Sequence, residues 1–118
     1  METRFKEKCT FEERLAESSR IKQKYPDRIP IIVEKAKSCN NIDDITKHKY
    51  LVPKNLTMGQ LIYVIRKKIT TLDSHKAMFV FINKEMPATG DMVSVLFDKH
   101  VDEDGFMYIE YSGENAFG

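Results

Sequence analysis

The 118-residue chain has no tryptophan, three histidines, two cysteines and four prolines, and its formal charge is only +1. Each scarcity excludes something. Cys9 and Cys39 lie far apart and form no C-x-x-C pair, so they are expected to be reduced thiols rather than a disulfide or a metal site. His48, His75 and His100 stand in no ligand or catalytic motif, and no G-x-S-x-G, H-E-x-x-H or phosphate loop is present. Intrinsic catalysis is therefore not expected. The near-balance of 19 basic and 18 acidic residues gives no electrostatic footprint for nucleic acid. No stretch approaches the roughly 18 apolar residues of a membrane span. The opening "METRFKEKCTFEERLAE" is too charged for a signal peptide. "NLT" at Asn55 fits a glycosylation pattern, which carries no weight without a secretory signal.

What is present reads as one soluble domain, with 42% hydrophobic and 31% charged residues. Thr10 and Glu13 form a capping box that opens a helix ending before Pro26. Phe11, Leu15, Ser18 and Tyr25 share one face of it, and a short helical turn over Arg4 to Lys8 precedes it. "RIPIIVEKA" predicts a strand from about Ile29 to Lys35, with Pro30 near its start. "KYLVP" predicts a second, short strand, and its closing Pro53 favours a sheet edge. Thr57 and Gln60 form a second capping box. The helix they open carries Met58, Leu61, Ile62, Ile65 and Ile69 as one stripe. Arg66, Lys67 and Lys68 suit its C-terminal end. "AMFVFI" reads as a buried strand. "DMVSVLFDKH" reads as a short helix with Met92, Val93, Leu96 and Phe97 inward. "DEDG" turns the chain into a last strand from Phe106 to Tyr111. With Gly105 at position six, this acidic turn would put His100 and Tyr111 where a calcium loop needs carboxylates, so it is not one.

The order α, α, β, β, α, β, α, β predicts one mixed four-stranded sheet with a long helix across it, an α+β arrangement of the β-grasp type. The two N-terminal helices are expected to cover the opposite face, because "PIIV" and "MFVF" are apolar on both sides. Residues 1–27 then form a helical extension, 28–112 the core and 113–118 a short tail.

An edge strand at "HKYLVP" presents unpaired backbone groups. Lys49 is the kind of charge that protects such an edge. The other use of an edge is addition of an extended peptide. Ligand positions i and i+3 point to opposite faces of a strand. One anchor would face the N-terminal helices and the other the long helix. Arg20, Lys22, Lys24 and Arg28 form a basic run suited to acidic peptide segments or anionic lipid.

Taken in order, "FEERLAESSRI", "KYPDRIPIIVEKA", "KHKYLVPKNLTMGQ", "YVIRKKI", "FVFIN" and "DEDGFMYIEYSGENAFG" resemble the autophagy ubiquitin-like modifier family, GABARAP and its relatives, over nearly the whole length. The resemblance implies a ubiquitin-like fold. It implies that the Gly118 carboxylate is activated by an ATP-dependent enzyme, carried as a thioester on conjugating enzymes, and joined to phosphatidylethanolamine. A deconjugating cysteine protease and cargo receptors would be further partners. The protein would be cytoplasmic, and on the autophagosome membrane after lipidation. The edge strand would dock aromatic-x-x-aliphatic motifs. A first pocket would draw on Glu17, Ile21, Pro30, Lys49, Leu51 and Phe106. A second would draw on Tyr50, Val52, Pro53, Leu56, Leu61 and Val64. Arg28, Lys47 and Lys49 would meet acidic flanking residues. Leu61 stands where relatives commonly carry Phe, and Ala88 where they often carry a second Pro. An unconjugated adaptor that binds such peptides only is the alternative.

Overall fold

A computed structural model describes residues 4–37, 42–69 and 77–113. Their elements are α1 (Phe5–Lys8), α2 (Phe11–Lys24), β1 (Arg28–Lys35), β2 (Lys49–Pro53), α3 (Met58–Lys68), β3 (Phe79–Phe81), α4 (Val93–His100) and β4 (Met107–Ser112). This is the order read from the sequence. Both capping boxes form. The Glu13 amide donates to Thr10 Oγ1 at 3.1 Å, and the Gln60 amide to Thr57 Oγ1 at 3.2 Å. In each, the glutamate or glutamine side chain accepts from the threonine amide in return.

The strands lie in the order β2-β1-β4-β3. β1 and β4 are parallel and central, while β2 and β3 run antiparallel to their neighbours at the two margins. A strand flanked on both sides and covered on both faces must be apolar on both. β1 meets that demand: Ile29, Ile31 and Val33 join the larger core with Met58, Leu61 and Ile65 of α3, whereas Ile32 joins a second cluster on the other face. That cluster contains Ile21 of α2 and Phe106, with Phe5, Leu51 and Tyr108 packed against it. The N-terminal helices thus cover the second face, as expected.

The inward face of α2 differs from the apolar stripe in the sequence. Phe11, Leu15 and Tyr25 are each about 40% exposed, and the buried residues are Arg14, Ser18 and Ile21. The reason lies in the turn before β4. The Asp104 carboxylate has no solvent exposure and accepts from Arg14 Nε at 2.8 Å and from the Phe106 amide at 2.9 Å. It also accepts from the Tyr108 hydroxyl. Arg14 Nη1 donates to Cys9 O at 2.7 Å, and Ser18 Oγ donates to Asp104 O at 2.5 Å. A buried charge must be paired and bonded, and this network meets the condition. These polar contacts, together with the packing of Ile21 against Ile32 and Phe106, therefore set the helix orientation.

Gly105 completes the turn with φ +89°, and a Cβ there would come within 2.8 Å of Ser18 Cβ. Positive φ and a close neighbour both oppose a side chain. Gly105→Ala is expected to destabilise the fold by about 3 kcal/mol, read as a lowered urea midpoint with unchanged slope.

Candidate peptide-docking edge

Among the described residues β2 has a strand neighbour on one side only, and the pairing register says which of its backbone groups face outward. The Val33 amide donates to His48 O at 2.7 Å, and these residues continue the register that pairs Ile31 with Tyr50 and Ile29 with Val52. Antiparallel pairs alternate between bonded and non-bonded. Tyr50 and Val52 therefore point their N–H and C=O groups toward β1. Lys49 and Leu51 point theirs into the open. Pro30 sits opposite Leu51 in a non-bonded pair, and the β1–β4 ladder begins one residue later at Ile31, so its missing N–H is not needed.

Side chains alternate along the same five residues. Tyr50 and Val52 belong to the core cluster beneath α3, and Leu51 packs into the cluster beneath α2. Each flank of the edge has its own apolar cluster. On the α2 flank the structure brings Ile21, Leu51 and Phe106 together. Glu17 and Lys49 form an ion pair across its mouth. Pro30 is buried and lies across the ladder from Leu51. On the α3 flank, Tyr50, Val52 and Leu61 share the large cluster and Leu56 packs against it. Pro53 is half-buried, and Val64 stands exposed on α3. Phe106 and Leu61 have no exposed surface. They form the floors of the two clusters, not their walls. Arg28 and Lys47 are exposed, and Lys49 is half-buried.

The sequence reading missed Phe5. Its ring meets Phe106 edge-on at 5.3 Å between centroids, and the Lys49 ammonium lies 5.8 Å from the Phe5 centroid. The strap that carries it is tied down by ion pairs of Arg4 with Glu34 and Glu110 and by Lys6 with Asp102. The signal was one aromatic in "RFKEK", which only the tertiary fold connects to the edge.

Tyr50 has a peculiarity of its own. The residue is 5% exposed, and among the described residues its buried hydroxyl has no hydrogen-bond partner. Burial pushes its pKa up to about 12, so the group stays a neutral O–H donor at ordinary pH. The exposed Lys47 ammonium lies 5.2 Å from the ring centroid. Cys9 is a free thiol; Cys39, His75 and Gly118 fall outside the described residues. Among the described residues no group of side chains could hold a metal ion, and no helix is long and apolar enough to cross a membrane.

Comparison with known proteins places this geometry in a family. A family model described as Autophagy protein Atg8 ubiquitin like matches residues 13–118. Autophagy-related protein 8 of Mycosarcoma maydis is 53% identical over 118 residues, covering 100% of this chain and 98% of the relative. Autophagy-related protein 8a of Arabidopsis thaliana is 54% identical over 114 residues, covering 97% and 92%. Among solved structures, Trypanosoma brucei ATG8 superposes with a TM-score of 0.88 at 36% identity, covering 100% of both chains. Plasmodium falciparum Atg8, solved in complex with a P. falciparum Atg3 peptide, gives 0.86 at 34% identity, covering 96% of this chain and 98% of that one.

Proposed function

The chain belongs to the Atg8 ubiquitin-like family of autophagy proteins, and from that membership we propose that it is a lipid-conjugated modifier whose β2 edge recruits short peptide motifs. The chain is one unit: a helical extension over 1–27, a ubiquitin-like core over 28–112 and a tail over 113–118. The observation that carries the recruiting function is the open backbone of Lys49 and Leu51 between two apolar clusters. An extended segment pairing there gains main-chain hydrogen bonds, and its alternate side chains meet opposite clusters. An aromatic anchor goes to the Ile21, Leu51 and Phe106 side, lined also by Glu17, Pro30 and Lys49. An aliphatic anchor goes to the Tyr50, Val52 and Leu61 side, bordered by Pro53, Leu56 and Val64. Arg28, Lys47 and Lys49 favour acidic flanks. The Plasmodium relative solved with an Atg3 peptide supports peptide recognition as a property of the fold.

Conjugation uses Gly118. An ATP-dependent activating enzyme converts the carboxylate to an acyl donor, enzyme cysteines carry it as a thioester, and the amine of phosphatidylethanolamine displaces the thiolate to form an amide. The chain supplies the acyl group and no acid, base or nucleophile. A deconjugating cysteine protease reverses the attachment. Two acyl chains at about 0.8 kcal/mol per buried CH₂ hold a protein on a bilayer far longer than one. The cytoplasmic form thereby becomes an autophagosome-membrane form that displays the edge to cargo receptors. Neither nucleic acid nor a cofactor enters this scheme.

The docking half is tested by calorimetry with an aromatic-x-x-aliphatic peptide. Tyr50→Ala combined with Leu51→Ala is expected to weaken binding by about 2 kcal/mol or more, the scale of interface hot spots. Unchanged affinity in a folded variant would place the peptide elsewhere.

A further inference from the structure

We propose that the Tyr50 hydroxyl is a specificity-determining donor held for a carboxylate on the docked segment, which it shares with the Lys47 ammonium. The inference rests on the edge-strand reading above and deepens it, because it states which ligand chemistry that edge selects.

Buried polar groups in folded proteins are nearly always bonded, and an exception calls for a cause. Among the described residues Tyr50 is such an exception: it is 5% exposed, and its buried hydroxyl has no partner there. The position adds to the case. Tyr50 lies between Lys49 and Leu51, whose backbone groups face the open side. A segment that pairs with them runs directly past it. A cation also stands by the ring, since the ammonium of exposed Lys47 lies 5.2 Å from its centroid. Among the described residues Lys47 pairs with no carboxylate, whereas its neighbour Lys49 is engaged by Glu17.

An unsatisfied donor on the Tyr50 ring and a cation 5.2 Å from that ring's centroid define their complement. A neutral acceptor satisfies the hydroxyl and leaves the ammonium as it was. A carboxylate satisfies both, and hydrogen bonds to an ionised acceptor are the stronger ones. Lys47 turns to meet the incoming charge, and the same carboxylate accepts from the hydroxyl. The elevated pKa keeps the phenol in its donor form throughout.

The test uses the whole chain, its Tyr50→Phe variant and paired peptides. Each peptide carries the aromatic-x-x-aliphatic motif, with Glu or Gln scanned over the two x positions. Tyr50→Phe is expected to weaken the best Glu peptide at least fivefold and its Gln twin less than twofold. Lys47→Ala should matter less in the Tyr50→Phe background than in the wild type, because the two groups share one carboxylate. The free variant should melt at the wild-type temperature or above it, since it loses an unbonded buried hydroxyl. Equal losses for Glu and Gln peptides would overturn the proposal. So would a lowered melting temperature of the free variant, which would mean that the hydroxyl is already bonded. A wild-type chain that binds none of the peptides overturns the docking reading itself, and this inference with it.

Discussion

Gly118→Ala is expected to reduce the phosphatidylethanolamine adduct to below about one hundredth of the wild-type yield, in a reaction with activating and conjugating enzymes, ATP and liposomes. In the proposed scheme the Gly118 carboxylate oxygen first attacks a phosphoryl group of ATP and displaces pyrophosphate. The activated carbonyl carbon, bonded to the glycine Cα, is then attacked by enzyme thiolates and finally by the amine, each attack expelling the previous carrier. A Cβ on that Cα crowds each approach, and small displacements from attack geometry already cost orders of magnitude. Glycine also passes through channels that a side chain blocks. The readout is a gel shift with intact-mass confirmation of the lipid amide. An undiminished adduct on Gly118→Ala protein would show that attachment occurs at another residue. The edge strand offers the internal control. The same variant should bind motif peptides with wild-type affinity, because the proposed docking edge lies in the folded sheet.

Asp104→Ala should have the largest effect on folding. Its carboxylate is fully buried and accepts from Arg14, the Phe106 amide and the Tyr108 hydroxyl. Removing it leaves three donors without an acceptor, one of them charged. Truncating one partner of a buried pair typically costs about 3–5 kcal/mol. Urea unfolding should register that loss as a lower midpoint. Tyr108 already shows the environment: burial, then its bond to Asp104, raises its pKa far above the ordinary phenol. Leu15→Ala on the same helix is the contrast. Leu15 is 39% exposed, so the change should stay within about 0.5 kcal/mol. Comparable losses for the two variants would mean that α2 docks by its apolar side chains after all.

That contrast also marks where sequence reasoning stops. Periodicity, proline placement and two capping boxes are local signals, and they gave the element order, the edge position of "KYLVP" and the inward residues of α3. The alternation of Tyr50 and Val52 against Leu51 follows from the period of a strand alone. The inward face of α2 is not local. Its key contact joins Arg14 to a partner 90 positions away. A search for apolar stripes therefore selects Phe11, Leu15 and Tyr25, which are exposed, over Arg14, which is not. Phe5 is the same kind of case, as its value comes from Phe106 across the sheet. The unbonded hydroxyl of Tyr50 is a property of packing, with no sequence signature at all. The pocket residues came from family resemblance, and the fold adds that Leu61 and Phe106 lie too deep to be touched without movement of their neighbours.

The central claim is that a peptide adds to the free side of β2, and amide hydrogen exchange followed by NMR tests it most directly. In the free protein the Tyr50 and Val52 amides should exchange slowly, because they bond to β1, while those of Lys49 and Leu51 exchange fast. Saturation with an aromatic-x-x-aliphatic peptide should slow Lys49 and Leu51 by at least about tenfold and leave Tyr50 and Val52 protected. Bound peptide with Lys49 and Leu51 still exchanging at their free rates would contradict the account.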